Sequence, residues 1–319
     1  MELSVSIVIP ALNEEQHIGR CLHSLMNLDY PKEDLKICIV DNYSSDATTS
    51  IASTFAVNIL RVPVRTIGFS RNAGSLNADT DIIAFLDADC MVSPGWLKEA
   101  MKHFVFADTV AVGSYPRVLD AESNNLQKTW SKLCSKATGG IHEVEWLPSA
   151  NLIVRASTFR LVGGFNESLV TCEDVDLSYK LKYYGKLIYD PGVTVYHLRE
   201  PKNFKEFFKK EVWHTRSNFA GMMSHGFRLS EIPSLIAPVL FGLGLAVGLL
   251  AIVVPNTYSW AGISISLFIL LIYALKGYLQ TGSIIMVLAI YCVYFLARAY
   301  SVLLQLIRSA RRRLFCLKS

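Results

Sequence analysis

Apolar residues in the first two hundred positions follow two alternating periods. Val5-Ser6-Ile7-Val8-Ile9-Pro10, Lys36 to Val40, Val57 to Val62 and Ile82 to Leu86 are short, mostly uncharged runs. Their length and β-branching suit strands covered on both faces. Between them the apolar spacing lengthens to three and four. Ile18, Cys21, Leu22 and Leu25 form one helical face after Asn13-Glu14-Glu15, Ser45-Asp46 caps a second helix through Phe55, and Ser70 to Ala78 reads as a third. This alternation predicts an α/β fold with a doubly wound, mostly parallel sheet. In such sheets ligands sit beyond the carboxyl ends of the strands, where Asn13-Glu14, Asp41, Asp87 and Asp89 fall. Further on, Pro94-Gly95-Trp96 opens a helix to about His103, and Val110 to Ser114, Leu152 to Val154 and Val193 to His197 read as strands. An amphipathic run begins at Glu173-Asp174-Val175-Asp176. The polar, weakly periodic stretch from Asp120 to Glu145 reads as a long loop of the lid or acceptor-facing kind.

The pattern changes after residue 200. Aromatics at 204, 207 and 208 with lysines at 205, 209 and 210 suit a helix lying in a bilayer interface. Leu235 to Val254 is twenty residues without a charge, long enough to span a membrane. After the turn Pro255-Asn256-Thr257, Tyr258 to Leu275 is a second candidate. Ile284 to Ile307 is a third, interrupted by Arg298, whose charge at a bilayer centre costs roughly 2.5 to 3.5 kcal/mol. The expected division is a soluble domain over 1–228, with 203–228 as an interfacial region, and a membrane anchor of two to three hydrophobic helices over 229–319. The basic tail of Arg308, Arg311, Arg312 and Arg313 belongs on the cytosolic side. If the soluble domain lies there too, the number of spans is even, so a hairpin of two spans followed by an amphipathic helix is expected.

Composition sharpens this division. Hydrophobic residues make up 51% of the chain and the mean hydropathy is +0.32, yet from Leu229 onward there is one carboxylate, Glu231. A net charge of +4 is too modest to indicate nucleic acid, and the basic excess near the apolar segments suits anionic lipid. Seven cysteines without a CxxC pair read as reduced thiols of a cytosolic compartment. Met1-Glu2-Leu3 runs directly into strand-like sequence, without the basic and apolar regions of a signal peptide. No GxGxxG follows the first strand, which disfavours a nicotinamide enzyme.

The sharpest candidate chemistry is Asp87-Ala88-Asp89, which ends the run Ile82 to Leu86. On a regular strand, residues i and i+2 point the same way, so both carboxylates can face one ion. Hard oxygens suit Mg²⁺ or Mn²⁺, which often bridge a protein to phosphates. Cys90 beside them is expected to pack.

SIVIPALNEE, IVDNYSSDAT, FSRNAG, FLDADC, VGGFNESL and CEDVDLSYKLKYYG occupy about Ser4 to Arg216. Their order and spacing resemble the inverting family 2 glycosyltransferases of GT-A fold. The resemblance implies that Pro10, Ala11, Glu14 and Asp41 line a nucleotide pocket, with Asp41 accepting from the base and Arg71 nearby. It implies Asp87 in the ribose or metal shell, Asp89 on the metal, and His197 as a further metal ligand. Asp174 would be the general base, with Asp176 structural, and Glu173, Trp146 and Arg216 would contact acceptor or phosphate. The implied donor is a nucleotide-diphosphate sugar, UDP-sugar foremost, used with Mg²⁺ or Mn²⁺. The implied acceptor is lipid-linked or a membrane-proximal glycan, in cell-surface polysaccharide or glycoconjugate synthesis. Membrane lipids are partners, nucleic acid is not, and an oligomer is left open. The expected location is a bacterial or archaeal cell membrane, with the catalytic domain cytosolic. Processive relatives carry Gln-x-x-Arg-Trp, of which Trp213-His214-Thr215-Arg216-Ser217 keeps only the arginine. That departure disfavours a processive synthase. Intact Asp87, Asp89 and Asp174 argue against an inactive scaffold of a glycan assembly complex, and a nucleotidyltransferase would need a glycine-rich basic loop after the first strand.

Overall fold

Strand β1 (Val5–Ala11) is buried at all seven positions, the pattern of a strand covered on both faces. The computed structural model describes residues 3–76, 78–134, 139–217, 232–250 and 257–316. After β1 come α1 (Ile18–Met26), β2 (Leu35–Asp41), α2 (Thr48–Ala52), β3 (Asn58–Arg61), α3 (Ile67–Ser75) and β4 (Ile82–Leu86). Next follow β5 (Cys90–Val92), α4 (Trp96–Phe104), β6 (Thr109–Gly113), α5 (Asn125–Cys134), β7 (His142–Glu143), β8 (Asn151–Arg155) and α6 (Ala156–Leu161). The rest comprises α7 (Glu173–Lys182), β9 (Lys186–Tyr189), β10 (Val195–His197), α8 (Phe204–His214), α9 (Ile232–Leu250), α10 (Thr257–Thr281) and α11 (Ile284–Cys316). The chain forms two units, 1–122 with 134–200, and 123–133 with 201–319. The division expected near residue 228 lies outside the described residues.

In the first unit, eight strands lie in the order β3-β2-β1-β4-β8-β6-β9-β7. The β3-β2-β1-β4 half is parallel, and β8 enters antiparallel between β4 and β6. This is the doubly wound, mostly parallel sheet that the alternating periods predict. One face packs Ile7, Ile9 and Ile39 against Leu22, Leu25 and Trp96. The other packs Val8, Val40 and Phe85 against Phe159 and Leu177. On that second face α3 approaches the sheet so closely that a Cβ on Gly74 would lie 2.5 Å from Val8 Cγ1 and 2.7 Å from Val40 Cγ2. Separately, β5 and β10 form a two-stranded antiparallel ribbon.

The stretch from Asp120 to Glu145 is not one loop. It holds α5 and the short β7. The apolar stripe of α5, Leu126, Trp130 and Leu133, is thinned by lysine, glutamine and threonine, which hides its period. Its partners come from far along the chain. In the second unit Leu126 packs with Phe207 and Ile290, and the Trp130 and Phe207 rings meet edge-on at 4.8 Å.

Trp260–Thr281 and Ile284–Arg308 are long and apolar enough to cross a membrane, while the described apolar stretch of α9, Ile236–Leu249, is shorter. Arg298 does not interrupt the third segment, because α11 runs unbroken from Ile284 to Cys316. Its Nε donates to Glu211 Oε2 at 3.0 Å, and its guanidinium lies 4.2 Å from the Tyr294 ring centroid. A charge paired within the unit need not break the helix.

The close approach of α3 to the sheet makes Gly74→Leu a direct test of this packing. Overpacking of this kind costs about 1 to 3 kcal/mol. The midpoint of thermal unfolding of the purified chain should fall by several degrees. An unchanged midpoint would mean that α3 does not sit against Val8 and Val40.

Candidate active site

The loops after β1 and β2 are stitched together by backbone N–H groups donating to polar side chains. Asn13 N–H donates to Ser44 Oγ at 3.0 Å, Glu14 N–H to Thr48 Oγ1 at 2.7 Å and Glu15 N–H to Asp46 Oδ2 at 3.1 Å. In return Ser45 N–H donates to Asn13 Oδ1 and Ala47 N–H to Glu15 Oε2, each at 2.9 Å. Asn13 adopts φ 55°, which asparagine tolerates better than most residues. Pro10 and Ala11 are buried opposite Val40 and Asp41. At the end of β2, Asp41 is fully buried. Its Oδ1 accepts from Ser44 N–H at 3.0 Å, whereas Oδ2 has no hydrogen bond and lies 3.3 Å from Arg61 Nε.

Three consecutive side chains of α3 grip three other segments. Ser70 Oγ donates to Asn42 Oδ1 at 2.7 Å. Arg71 sends Nη2 to Asp87 Oδ1 at 2.6 Å and Nη1 to Glu173 Oε1 at 2.7 Å, with 1% of its side chain exposed. Asn72 donates to Phe165 O and Glu167 Oε1, both at 2.9 Å, and accepts from Phe165 N–H. Gly164 makes the last grip feasible, because it has φ +70° and a Cβ there would meet Asn72 Oδ1 at 2.6 Å. Arg71 is therefore a buried bridge between two carboxylates, which hold its guanidinium charged against the cost of burial.

Asp87-Ala88-Asp89 does not lie on a regular strand. β4 stops at Leu86 and the chain turns, with Cys90 N–H donating to Asp87 O at 3.0 Å. The same-face argument therefore fails, and the two carboxylates take different partners. Asp87 goes to Arg71. Asp89 Oδ1 lies 3.6 Å from His197 Nε2. The β5–β10 ribbon delivers this histidine, because its register sets His197 opposite Cys90 and Leu198 N–H donates to Asp89 O at 2.8 Å.

The ligand atoms of Asp89, Cys90 and His197 lie within 4.8 Å of one another. Cys90 offers soft sulfur, which hard cations do not favour, and burial, then the charges of Asp89 and Asp87, push its thiol well up. A carboxylate and an imidazole remain, a donor set that fits Mn²⁺ or Mg²⁺ with positions left for phosphate oxygens. His197 Nδ1 is buried without a hydrogen bond, 3.6 Å from Glu200 Oε1. The electrostatics also favour a cation. Burial and the charge of Asp89 push Glu14 up to about 7 despite Arg199, whose Nη1 donates to Glu14 Oε1 at 3.0 Å. The charge of Asp89 is thus felt at Glu14 even with Arg199 in place.

Adjacent acids at the start of α7 sit in opposite environments. Glu173 is 7% exposed and accepts from Arg71 and from Ser149 Oγ at 3.3 Å. Asp174 is only partly covered, and its Oδ1 accepts from Val175 N–H at 2.8 Å. Burial raises its carboxyl, and the charge of Glu173 raises it further, against the weaker pull of Arg71. Cys172 holds the left-handed conformation, φ 65°, that turns the chain into this helix. Asp176 is fully buried and paired to Lys180 at 2.7 Å.

Two other anticipated residues make no direct bond to these carboxylates among the described contacts. Trp146 is half-buried against the Tyr115 ring at 5.4 Å, and Arg216 is exposed in the second unit. Arg199 was not anticipated, nor was Glu200. Their only sequence signal is that they follow His197 closely, and the ion pair with Glu14 spans 185 positions.

The Glycosyl transferase family 2 profile matches residues 6–150, and that of Glycosyl transferase family group 2 matches residues 82–298. A pre-mycofactocin glycosyltransferase of Mycobacterium tuberculosis is 31% identical over 207 residues, covering 60% of this chain and 42% of that protein. A β-monoglucosyldiacylglycerol synthase of Trichormus variabilis is 30% identical over 196 residues, covering 56% of this chain and 41% of its own length. The chain thus spans about two fifths of these relatives. Among solved structures, a mannosyltransferase of Pyrobaculum calidifontis in complex with GDP-Man and Mn²⁺ superposes with a TM-score of 0.64 at 17% identity. It covers 93% of this chain and 88% of its own. TarS of S. aureus in complex with UDP gives 0.50 at 18% identity, over 77% and 80% of the two chains.

The Arg71 bridge can be tested by removing its charge. Arg71→Met leaves Asp87 and Glu173 without their shared cation, and breaking a buried pair in this way costs about 3 to 5 kcal/mol. Chemical denaturation should show a loss of that order. A loss below about 1 kcal/mol would mean that the two carboxylates do not depend on the guanidinium.

Proposed function

The chain belongs to glycosyl transferase family 2, and from that membership we propose that it transfers a sugar from a nucleotide-diphosphate donor to an acceptor hydroxyl with inversion. The observation that carries this reading is the contrast between Glu173 and Asp174. Glu173 is tied to Arg71 and Ser149. Asp174 is raised by burial and by its neighbour's charge, as a general base working near neutral pH requires.

Asp174 takes the proton of the acceptor hydroxyl. The freed oxygen pair bonds to the anomeric carbon on the face opposite the diphosphate, and the pair of the breaking carbon–oxygen bond leaves with the diphosphate. Asp41 Oδ2, buried and without a hydrogen bond, accepts an N–H of the base. Arg199, exposed over 64% of its side chain, exchanges Glu14 for a diphosphate oxygen. Asp89 and His197 would hold a divalent ion, Mg²⁺ or Mn²⁺, which would supply Lewis-acid neutralisation of the leaving group. Arg71 stays within the protein and fixes Asp87 relative to the base.

Solved neighbours in complex with GDP-Man, UDP and UDP-GlcNAc support a nucleotide sugar as donor. The preference for UDP-sugar rests on the sequence resemblance. A lipid-linked or membrane-proximal acceptor is supported by the two apolar helices and by a relative named for a glycolipid. The same helices support an anchor after residue 200, with the catalytic unit on the cytosolic side.

Asp174→Asn should lower transfer by about 10² or more while donor and metal binding survive. Asp176 is a poor control, because its burial ties it to stability. The pH profile offers a better one. A base with a raised pKa loses activity as pH falls through that value. Glu173→Gln removes the negative neighbour and leaves Arg71 less neutralised, so the acid limb should move to lower pH. A limb unmoved by Glu173→Gln, or full transfer by Asp174→Asn, would remove Asp174 as base.

Asp89→Ala should abolish the Mn²⁺-dependent part of UDP or GDP binding measured by calorimetry. Equal heats with and without Mn²⁺ in the parent chain would argue against metal use. Unchanged Mn²⁺ dependence in the variant would remove Asp89 from the metal shell.

A further inference from the structure

The two ends of the sequence carry opposite charge. Beyond residue 200 there are thirteen lysines and arginines against three acids, whereas the first 200 residues hold eighteen against twenty-four. Among the described residues beyond 200, six basic ones, Lys202, Lys205, Lys209, Arg216, Lys276 and Arg308, are exposed in the second unit.

Within that unit α8 lies along α11. Phe207 packs with Ile290, Val293 and Tyr294, and the Phe208 and Tyr300 ring centroids are 5.9 Å apart. Beyond these contacts the seam is polar. Arg298 pairs with Glu211, which is 2% exposed. Ser301 Oγ donates to Val212 O at 3.0 Å and Gln305 Nε2 to Thr215 O at 3.1 Å. α8 therefore accompanies α11 from Ile290 to Gln305.

The outer side of α8 exposes Lys205, Glu206 and Lys209. Charges of this density stay at the level of water and headgroups. What α8 accompanies must lie at the same depth, which includes Ile290 to Gln305 of α11. Before it only Ile284 to Ala289 is left to enter hydrocarbon, about 9 Å of helix against a core of about 30 Å. Despite its length, α11 cannot cross while α8 is docked. Its other side exposes Leu296, Leu303, Leu306 and Ile307, the face of a helix lying flat on an apolar layer.

We infer that α8 and the Tyr294–Arg308 half of α11 form one surface seated in the headgroup layer of an anionic leaflet, with Arg308 on the side of the catalytic unit. The inference rests on the membrane reading above but not on the glycosyl chemistry. Lysine and arginine at the rim meet anionic headgroups, and the exposed leucines and Ile307 enter the acyl boundary.

The test uses the full chain in right-side-out and inside-out membrane vesicles, labelled with an impermeant maleimide. Arg308→Cys should label from the same side as Glu33→Cys, placed on the exposed surface of the catalytic unit. Labelling from the opposite side would mean that α11 crosses, and would overturn the inference. Amide exchange over α8 is then compared in phosphatidylglycerol and phosphatidylcholine nanodiscs. Protection should be greater in phosphatidylglycerol and should fall in Lys205→Glu/Lys209→Glu by about fivefold or more per lysine. Equal protection in both lipids would overturn the anionic assignment. Binding of UDP or GDP with Mn²⁺ should be unchanged in that variant, so failure of the glycosyltransferase reading would register separately.

Discussion

The first unit depends on a guanidinium placed where water cannot reach it. Arg71 is tolerable at 1% exposure only because Asp87 and Glu173 each supply a charged acceptor within 2.7 Å. Those acids come from the turn after β4 and from the start of α7, 16 and 102 positions away. Neither segment is in a regular strand at that point, so the arginine holds them where backbone pairing does not. The Phe165 ring lies 5.4 Å from the same guanidinium, and Asn72 anchors the backbone of Phe165. One short helix thus carries the relative positions of Asp87 and Glu173.

Glu173 takes Arg71 and Ser149 as direct partners, whereas Asp174 accepts from Val175 N–H. Two neighbouring carboxylates of equal environment would share their charge penalty. Here the guanidinium pairs directly with one, and the other keeps a carboxyl raised by burial and by its neighbour's charge. At the other end of the cluster, among the described residues, no lysine or arginine pairs with Asp89, and its charge is felt by Glu14. In the proposed mechanism that charge suits a divalent ion, and Arg199 is at hand for the diphosphate.

Apolar matching across long sequence distances organises the second unit. α5 departs from the catalytic part of the sequence and buries Leu126, Trp130 and Leu133 with Phe207 and residues of α11. The polar seam between α8 and α11 then meets the charge of Arg298 inside the unit. A helix that pairs a charge in this way can be apolar enough to resemble a span and still carry a polar face.

By itself the sequence determined the alternating strands and helices of the sheet, since burial on both faces of β1 and β4 writes its period locally. It also determined that Asp41 falls at a strand end and that the Glu173-Asp174 pair opens a helix, because strand ends and caps are local features. Tertiary structure alone decided that Asp87 and Asp89 part company, since the turn at Leu86 cancels the strand geometry that the spacing suggests. It alone turned Arg71 from a residue near a nucleotide into a buried bridge, made a helix of Asn125–Cys134, and gave Arg298 its partner 87 positions away. The physical reason is common to these cases. Periodicity records which side of an element is covered, whereas the partner of a buried charge or of a short apolar stripe comes from elsewhere in the chain and leaves no local period.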